Sequence, residues 1–179
     1  MGHVCSWRCI GTFDNALRRW IHDTDEMYKP FVKAGMKVMD VGCGAGYTTI
    51  GLAKIVGENG LVTAVDIQEE MLNLLKTRKQ KGGLDERILT HCCDVGSLDI
   101  NDKFDFVNAF WMVHEVPDHR GFMKKIKERL ATGGCFFVAE PKIHVTRKNF
   151  ELMVGKANEA GLTVKERPKV KLSSAVVFM

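Results

Sequence analysis

The most informative stretch of the chain is Val38-Met39-Asp40-Val41-Gly42-Cys43-Gly44-Ala45-Gly46, in which an apolar run passes directly into a glycine-rich turn. Helical spacing begins immediately afterwards, near Tyr47. Glycine residues let the backbone turn sharply, and they let a ligand approach main-chain atoms where a Cβ would obstruct it. This order predicts a buried strand, a ligand-binding turn and a helix, which together open a doubly wound α/β fold.

The rest of the chain alternates between short apolar runs and segments with helical spacing. The predicted strands are Lys37–Val41, Leu61–Val65, Ile88–His91, Phe104–Ala109 and Cys135–Ala139. The predicted helices are Thr48–Val56, Glu69–Lys81, His119–Leu130 and Arg147–Ala160. This alternation is typical of a parallel sheet between two helix layers, a three-layer α/β/α sandwich with its ligand at the carboxyl ends of the strands. Two final strands, Leu162–Arg167 and Ser173–Met179, should be antiparallel, because the short connection between them cannot make a parallel crossover.

The first 35 residues precede the alternating part, and we expect them to form a helical or irregular cap over the cleft. Within this cap, helices are expected at Asp14–Arg19 and Asp23–Val32. Its aromatic side chains, Trp7, Trp20 and Tyr28, either wall a ligand pocket or pin the segment to the sheet, and pinning is slightly favoured. The length of 179 residues favours a single domain over residues 1–179.

Composition excludes several classes of protein. The chain is 45% hydrophobic and 27% charged with a net charge of +4, which is ordinary for a globular protein and too weakly basic to indicate nucleic acid. No run approaches the roughly 20 apolar residues that cross a bilayer, and the N-terminus lacks the apolar segment of a secretory signal. We therefore expect a cytosolic protein without membrane association, whose six cysteines are thiols. We expect no metal site, because Cys5 and Cys9 with nearby His3 lack a second ligand pair at a zinc spacing.

Two carboxylates stand at strand ends beside the glycine turn. The glycines follow G-x-G-x-G, and Tyr47 occupies the position where the dinucleotide pattern G-x-G-x-x-G requires its last glycine. Asp40 would repel a pyrophosphate but favour a ligand that carries an ammonium or sulfonium group. Asp66 ends the second predicted strand 24 positions after Gly42, where it can accept hydrogen bonds from ribose hydroxyls. It can also cap the helix that follows, and the two roles are compatible. The pattern disfavours a nicotinamide-dependent oxidoreductase.

With these motifs the chain resembles the class I S-adenosylmethionine-dependent methyltransferases over nearly its whole length. The resemblance rests on residues 38–46 together with Val65–Leu72, Cys93–Val95 and Phe104–Phe110. It implies S-adenosylmethionine as cofactor and a seven-stranded, mostly parallel sheet whose last strand is antiparallel. The cofactor-binding residues that it implies are Asp40, Gly42, Cys43, Gly44, Asp66, Ile67, Met71, Asp94, Val95, Ala109 and Phe110. In this scheme the glycine turn, Ala109 and Phe110 receive the methionine part. Asp66 binds the ribose, and the residues at 67, 71, 94 and 95 surround the adenine.

Methyl transfer requires little catalytic apparatus, because the sulfonium already activates the methyl group. Orienting the two reactants supplies roughly 7–11 kcal/mol, and a base contributes about 10²–10⁴-fold only when the acceptor arrives protonated. The catalytic residue is therefore unknown, with His114, Glu115 and His144 as candidates at predicted strand ends. For His114, a local hydrogen bond at a helix start is the slightly favoured interpretation, whereas for His144 the structural and catalytic interpretations are equally available. Phe110, Trp111 and Met112 follow the fourth strand and are candidates to line the acceptor pocket.

The methyl acceptor is the least determined part of the interpretation. A small molecule is favoured, partly because Asn108-Ala109-Phe110-Trp111 replaces the Asn/Asp-Pro-Pro-Tyr/Phe tetrad that holds a planar nitrogen in amino and base methyltransferases. The basic residues between Lys142 and Lys171 leave an RNA or protein methyltransferase as an alternative. A module that binds S-adenosylmethionine without catalysis is the other alternative. The acceptor atom and the oligomeric state stay open.

Overall fold

The computed structural model describes residues 21–179, and these residues form one seven-stranded sheet. Its strands are β1 (Lys37–Val41), β2 (Leu61–Asp66), β3 (Ile88–Cys92), β4 (Phe104–Phe110), β5 (Leu130–Pro141), β6 (Val164–Glu166) and β7 (Ser173–Phe178). The order across the sheet is β3-β2-β1-β4-β5-β7-β6. Only β7 runs against its neighbours, since it pairs antiparallel with both β5 and β6 while β1 to β5 pair in parallel. The predicted sheet with its antiparallel last strand is confirmed.

Helices cover both faces of this sheet, as the alternating pattern predicts. They are α1 (Thr24–Tyr28), α2 (Tyr47–Val56), α3 (Glu69–Lys81), α4 (His119–Arg129) and α5 (Arg147–Glu159). The apolar side chains of α1, α2 and α3 join one buried cluster, and those of α4 and α5 join the other. Along β5 the side chains alternate between the two clusters, with Phe136 and Val138 in one and Phe137 and Ala139 in the other. Both faces of the central strands are therefore buried, which is why their sequences are apolar without interruption.

The chain reverses its direction of growth across the sheet between β1 and β4. Strands β2 and β3 extend the sheet on one side of β1, whereas β4 and β5 extend it on the other. In open α/β sheets, ligands bind outside the carboxyl ends of the strands at such a switch point. The glycine turn after β1 and the segment after β4 therefore border the same crevice.

The start of β5 differs from the sequence prediction. The structure ends α4 at Arg129 and begins β5 at Leu130, whereas the sequence analysis predicts a strand from Cys135. Phe104 pairs with Leu130 and Phe106 pairs with Cys135, so the intervening residues of β5 bulge out of the ladder. Gly133 adopts φ +78° in this bulge, a conformation that glycine accepts at little cost. Gly133 and Gly134 thus lie in a bulge within β5, and the strand pairs with β4 on both sides of this bulge.

The short helix α1 occupies only part of the predicted Asp23–Val32 segment. The Asp23 carboxylate caps it by accepting the backbone N–H groups of Asp25 and Glu26, and Pro30 follows shortly after its last residue. Tyr28 is fully buried, and its ring packs edge-on against Phe137 at 5.4 Å between centroids. Tyr28 therefore pins the segment to the sheet, as the favoured interpretation holds. The other predictions for the cap, the helix at 14–19 and the roles of Trp7 and Trp20, fall outside the described residues.

Across residues 21–179, no helix combines the length and the apolar character that crossing a membrane requires. The cytosolic location stays a prediction. Cys43, Cys92, Cys93 and Cys135 are free thiols, in agreement with the expectation for the cysteines within this range.

Candidate functional site

The glycine turn after β1 leaves one open position above its backbone. Gly42, Gly44 and Gly46 all have positive φ, at +66°, +53° and +85°. A Cβ on Gly42 would lie 2.7 Å from Cγ of Met112, and a Cβ on Gly46 would lie 2.2 Å from Cδ1 of Leu75. A Cβ on Gly44 would have no neighbour within 4 Å. Packing explains the outer two glycines, whereas Gly44 borders an empty space that a ligand can enter.

Asp40 supports this turn from inside the protein. Its carboxylate, 1% exposed, accepts hydrogen bonds from the hydroxyls of Thr48 at 2.9 Å and Thr49 at 2.6 Å and from Nδ2 of Asn108 at 2.7 Å. The two threonines belong to the first turn of α2, and Asn108 is the register partner of Asp40 on β4. Asp40 thus joins β1, α2 and β4 beneath the turn. Direct contact of this carboxylate with a ligand stays a prediction, and the structure shows a supporting role.

Asp66 lies beside the open position of the turn. One carboxylate oxygen accepts the N–H of Gly44 at 2.8 Å, and the other accepts the N–H of Gln68 at 2.9 Å. Burial raises the pKa of Asp66, and the backbone hydrogen bonds oppose this rise. The carboxylate therefore links the turn to Gln68, the residue before α3. Because the N-cap of α3 is Gln68, the prediction that Asp66 caps this helix is wrong. The second predicted role of Asp66, ribose binding, stays a prediction.

Cys43 contributes a small buried side chain to the turn. Burial raises the pKa of its thiol well above the ordinary value, and the nearby negative charges of Asp40 and Asp66 raise it further. The thiol therefore stays protonated and uncharged at neutral pH. This environment suits a packing residue and does not suit a nucleophile.

The residues predicted to surround an adenine lie after the carboxyl ends of β2 and β3 and in the first turn of α3. Ile67 is 48% exposed although it is apolar, whereas Met71 is buried. The backbone N–H of Cys93 donates to the carbonyl of Asp66 at 3.2 Å, which holds the segment after β3 next to the segment after β2. Asp94 is exposed in that segment, and Val95 is partly buried against the core. Ile67 thus offers an apolar surface to a flat ring.

The aromatic residues after β4 form a packed cluster at the same edge. Ala109 is buried opposite Val41, and Phe110 is 5% exposed and stacks on Trp111 at 5.3 Å. The ring of His22 meets both aromatic rings edge-on, at 5.1 and 5.0 Å. Phe110 and Met112 are thus buried, so they do not line an open acceptor pocket as the sequence analysis considered.

A cavity of about 940 Å³ adjoins this aromatic cluster. Its lining includes His22 and Ser173, and the Ser173 hydroxyl accepts the indole N–H of Trp111 at 2.8 Å. Basic residues between Lys142 and Lys171 also line it, together with acidic residues of the cap and α5. Arg167 forms a two-pronged ion pair with Glu151, at 2.8 and 2.9 Å. The positive charge of this region is therefore partly neutralised within the protein.

His114 and His144, predicted separately, lie together in a second cavity of about 390 Å³. Their rings stack with centroids 6.0 Å apart and planes inclined by 17°. Nδ1 of His114 makes a short hydrogen bond to Glu140, which is 2% exposed and whose other oxygen accepts the N–H of Val113 at 2.8 Å. The hydrogen bond to Glu140 raises the pKa of His114, and partial burial opposes this rise.

Glu140 is the residue of this site that the sequence analysis missed. It ends the apolar run Cys135–Ala139, so a signal was available: a carboxylate at the end of a predicted strand, as at Asp40 and Asp66. The third catalytic candidate, Glu115, is not among the residues that line the cavity. Its negative charge makes a smaller contribution to the raised pKa of His114. His119 does line the cavity, and burial lowers its pKa, assisted by the positive charge of Lys156.

Comparison with known proteins agrees with this arrangement. The family profile described as a methyltransferase domain matches residues 32–171. A demethylmenaquinone methyltransferase from Staphylococcus aureus is 34% identical over 125 residues, which cover 68% of this chain and 51% of that protein. The chain thus spans about half the length of the curated relatives that it matches.

Solved structures show the same fold. A SAM-dependent methyltransferase from Aquifex aeolicus has a TM-score of 0.86 and 28% identity, and the match covers 98% of this chain and 99% of that one. An S-adenosylmethionine-dependent methyltransferase from Clostridium acetobutylicum has a TM-score of 0.73 and covers 96% of this chain and 95% of its own. At 15% identity, that second likeness concerns the fold alone. The chain therefore belongs to the methyltransferase domain family, with the class I fold of the S-adenosylmethionine-dependent methyltransferases.

Proposed function

We propose that this chain transfers the methyl group of S-adenosylmethionine to a small-molecule acceptor. The observation that carries the proposal is the open space above Gly44, where a Cβ would meet nothing within 4 Å. The carboxylate of Asp66 and the exposed side chain of Ile67 border the same edge of the sheet. These features suit an adenosine that carries an amino acid. The carboxylate can accept hydrogen bonds from ribose hydroxyls, Ile67 offers an apolar surface to the adenine ring, and the exposed backbone at Gly44 can approach the amino acid.

Each part of the cofactor has matching residues in the chain. Asp66 would accept the ribose hydroxyls, and Ile67, Met71, Asp94 and Val95 would surround the adenine. The turn at Gly42, Cys43 and Gly44, with Ala109 and Phe110 beside it and Asp40 beneath it, would hold the methionine part. When bound, the cofactor supplies an electrophilic methyl group on its sulfonium. The protein then has to orient the acceptor and, where the acceptor is protonated, remove its proton.

His114 is the residue that we propose for this proton removal. Its Nδ1 is engaged by the Glu140 carboxylate, which leaves Nε2 as the nitrogen that can accept a proton from the acceptor. Glu140 is held in turn by the N–H of Val113 at 2.8 Å, so the imidazole is oriented by a fixed partner. The carboxylate also stabilises the imidazolium that forms, as the raised pKa of His114 indicates. A base oriented by a buried carboxylate is an arrangement that recurs in acid–base catalysis.

The cavity at His114 fits a small, partly apolar acceptor. Its volume of about 390 Å³ lies within the range of about 300–1,000 Å³ that small-molecule sites occupy. Apolar side chains of α5, Phe150 and Met153, line it opposite the histidines. This lining suits an aromatic ring with an acidic hydroxyl or C–H group. The relatives named for demethylmenaquinone make phenols and quinols the first acceptors to test.

Calorimetric titration with S-adenosylmethionine tests the cofactor assignment. We expect micromolar binding that Asp66→Ala abolishes and that Asp102→Ala, a change of an exposed aspartate outside the proposed site, leaves intact. NAD⁺ should not bind. Preference for NAD⁺, or unchanged affinity in Asp66→Ala, would contradict the assignment.

Turnover is tested by measuring S-adenosylhomocysteine in a panel of phenols and quinols. Product formation that His114→Ala reduces by about 10²–10⁴-fold, with cofactor affinity unchanged, would support the base assignment. Product formation that His114→Ala leaves unchanged would remove His114 from the mechanism. Cofactor binding without product from any acceptor would favour a binding module without catalysis.

A further inference from the structure

Three potential metal ligands converge at the end of β3, outside the residues assigned to the cofactor and acceptor. The imidazole of His91, the thiol of Cys93 and the carboxylate of Asp99 have donor atoms that all lie within 4.8 Å of one another. Nε2 of His91 is 2.8 Å from the nearer oxygen of Asp99. From the sequence we expect no metal, and zinc spacing there concerns only His3, Cys5 and Cys9, so this cluster is a finding of the structure.

The local backbone explains why these side chains meet. Side chains alternate along a strand, so His91 and Cys93 point to one side while Cys92 points to the other, where its thiol donates to the carbonyl of Ile67 at 3.6 Å. The chain then turns back through a loop in which the N–H groups of Ser97 and Leu98 donate to the carbonyl of Asp94. Leu98 and Ile100 are buried on either side of Asp99 and hold its backbone next to β3.

The chemistry of the three donors selects the class of metal. A thiolate, an imidazole and a carboxylate together suit a borderline cation such as Zn²⁺, whereas Mg²⁺ and Ca²⁺ require oxygen ligands. The side chains of His91 and Asp99 are 38% and 67% exposed, so an ion can enter from solvent and keep a water molecule. We propose that His91, Cys93 and Asp99 bind Zn²⁺ with three protein ligands and one open coordination position.

The proposed zinc site adjoins the cofactor site without depending on it. Cys93 precedes Asp94, and its N–H donates to the carbonyl of Asp66 at 3.2 Å. A metal bound at Cys93 would therefore hold the loop that borders the predicted adenine position. The proposal rests on the donor geometry alone, and its failure would leave the proposed methyl transfer untouched.

Titration of the metal-free protein with Co²⁺ under reducing conditions tests the site, because a cobalt–thiolate bond produces a charge-transfer absorption band. We expect one equivalent of Co²⁺ to produce this band and Zn²⁺ to remove it. Cys93→Ser should abolish the band. His91→Ala should weaken binding by at least about 100-fold, since even the loss of an outer-shell partner costs about 10–100-fold.

Two control variants separate this site from the other thiols. Cys92→Ser changes the neighbouring thiol on the opposite side of the strand and should keep the band. The double variant Cys5→Ser/Cys9→Ser removes the N-terminal thiols and should also keep it. A band that survives in Cys93→Ser, or that disappears in either control, would overturn the proposal.

A second measurement on the unmodified protein covers the case in which Cys93→Ser fails to fold. Alkylation of the native chain, followed residue by residue with mass spectrometry, should slow at Cys93 when Zn²⁺ is added and should not slow at Cys92. Equal alkylation rates of Cys93 with and without Zn²⁺ would also overturn the proposal.

Discussion

Replacing Gly44 with alanine tests the central claim about the glycine turn, that its open side receives a ligand. The new Cβ would meet nothing within 4 Å in the protein itself, so it creates no clash in the folded chain. A ligand that touches this backbone would, however, have to move away from the added methyl group. We therefore expect Gly44→Ala to weaken S-adenosylmethionine binding in addition to a moderate loss of fold stability.

The two effects are of similar size but are measured separately, as a Tm and as a Kd. Alanine at φ +53° costs about 1–2 kcal/mol of backbone strain, which for a domain of this size lowers the Tm by about 2–8 °C. Forcing one methyl group into a close contact costs about 1–3 kcal/mol, which raises the Kd by about 5- to 150-fold. Gly46→Ala carries similar strain at φ +85° and also places its Cβ 2.2 Å from Leu75. Its Tm should therefore fall further than that of Gly44→Ala.

Gly83→Ala is the matched control. Gly83 has φ +65° and an open Cβ position like Gly44, but it lies in the turn after α3 and is not one of the predicted cofactor-binding residues. Scanning calorimetry should give similar Tm losses for Gly44→Ala and Gly83→Ala, and titration calorimetry should give weaker binding for Gly44→Ala alone. Unchanged affinity in Gly44→Ala, or an equal loss in Gly83→Ala, would refute the assignment of the open side to the ligand.

Four further changes test how the surrounding residues act. Glu140→Gln removes the carboxylate that raises the pKa of His114, so the acidic limb of the rate–pH profile should move to lower pH, and an unmoved limb would contradict the pairing. A raised pKa of His114 stabilises the folded state at pH values below 6.5, the ordinary pKa of histidine. This stabilisation is lost as the pH rises through the pKa that His114 has in the folded state. His114→Ala should accordingly lower the Tm more at about pH 5 than at about pH 9. Tyr28→Ala should cost about 3–5 kcal/mol in urea unfolding because it opens a core cavity, and a loss as small as that of Tyr28→Phe would argue against pinning. Asp40→Asn should cost about 1–3 kcal/mol in the same assay, because a buried donor loses its carboxylate partner, and unchanged stability would contradict the supporting role.

The glycine turn and the parallel strands could be predicted because their signals are local. A strand that is buried on both faces is predominantly apolar, and a turn at positive φ favours glycine. The position of Asp66 at the end of β2 could be predicted for the same reason, since it follows from the apolar run before it. The ends of elements were less predictable. Leu130 begins β5 because it pairs with Phe104, a residue distant in sequence.

The hydrogen bonds between side chains of distant segments were decided by the tertiary structure. Glu140 reaches His114 across 26 residues, and Asn108 reaches Asp40 across 68, because parallel strands bring their carboxyl ends to one edge of the sheet. No local pattern reveals such pairs, since each depends on register and on which face a side chain takes. The sequence by itself determined the fold class and the place of the glycine turn. Only the packing of the sheet decided that Asp40 is turned inward and that His114 has a buried carboxylate partner.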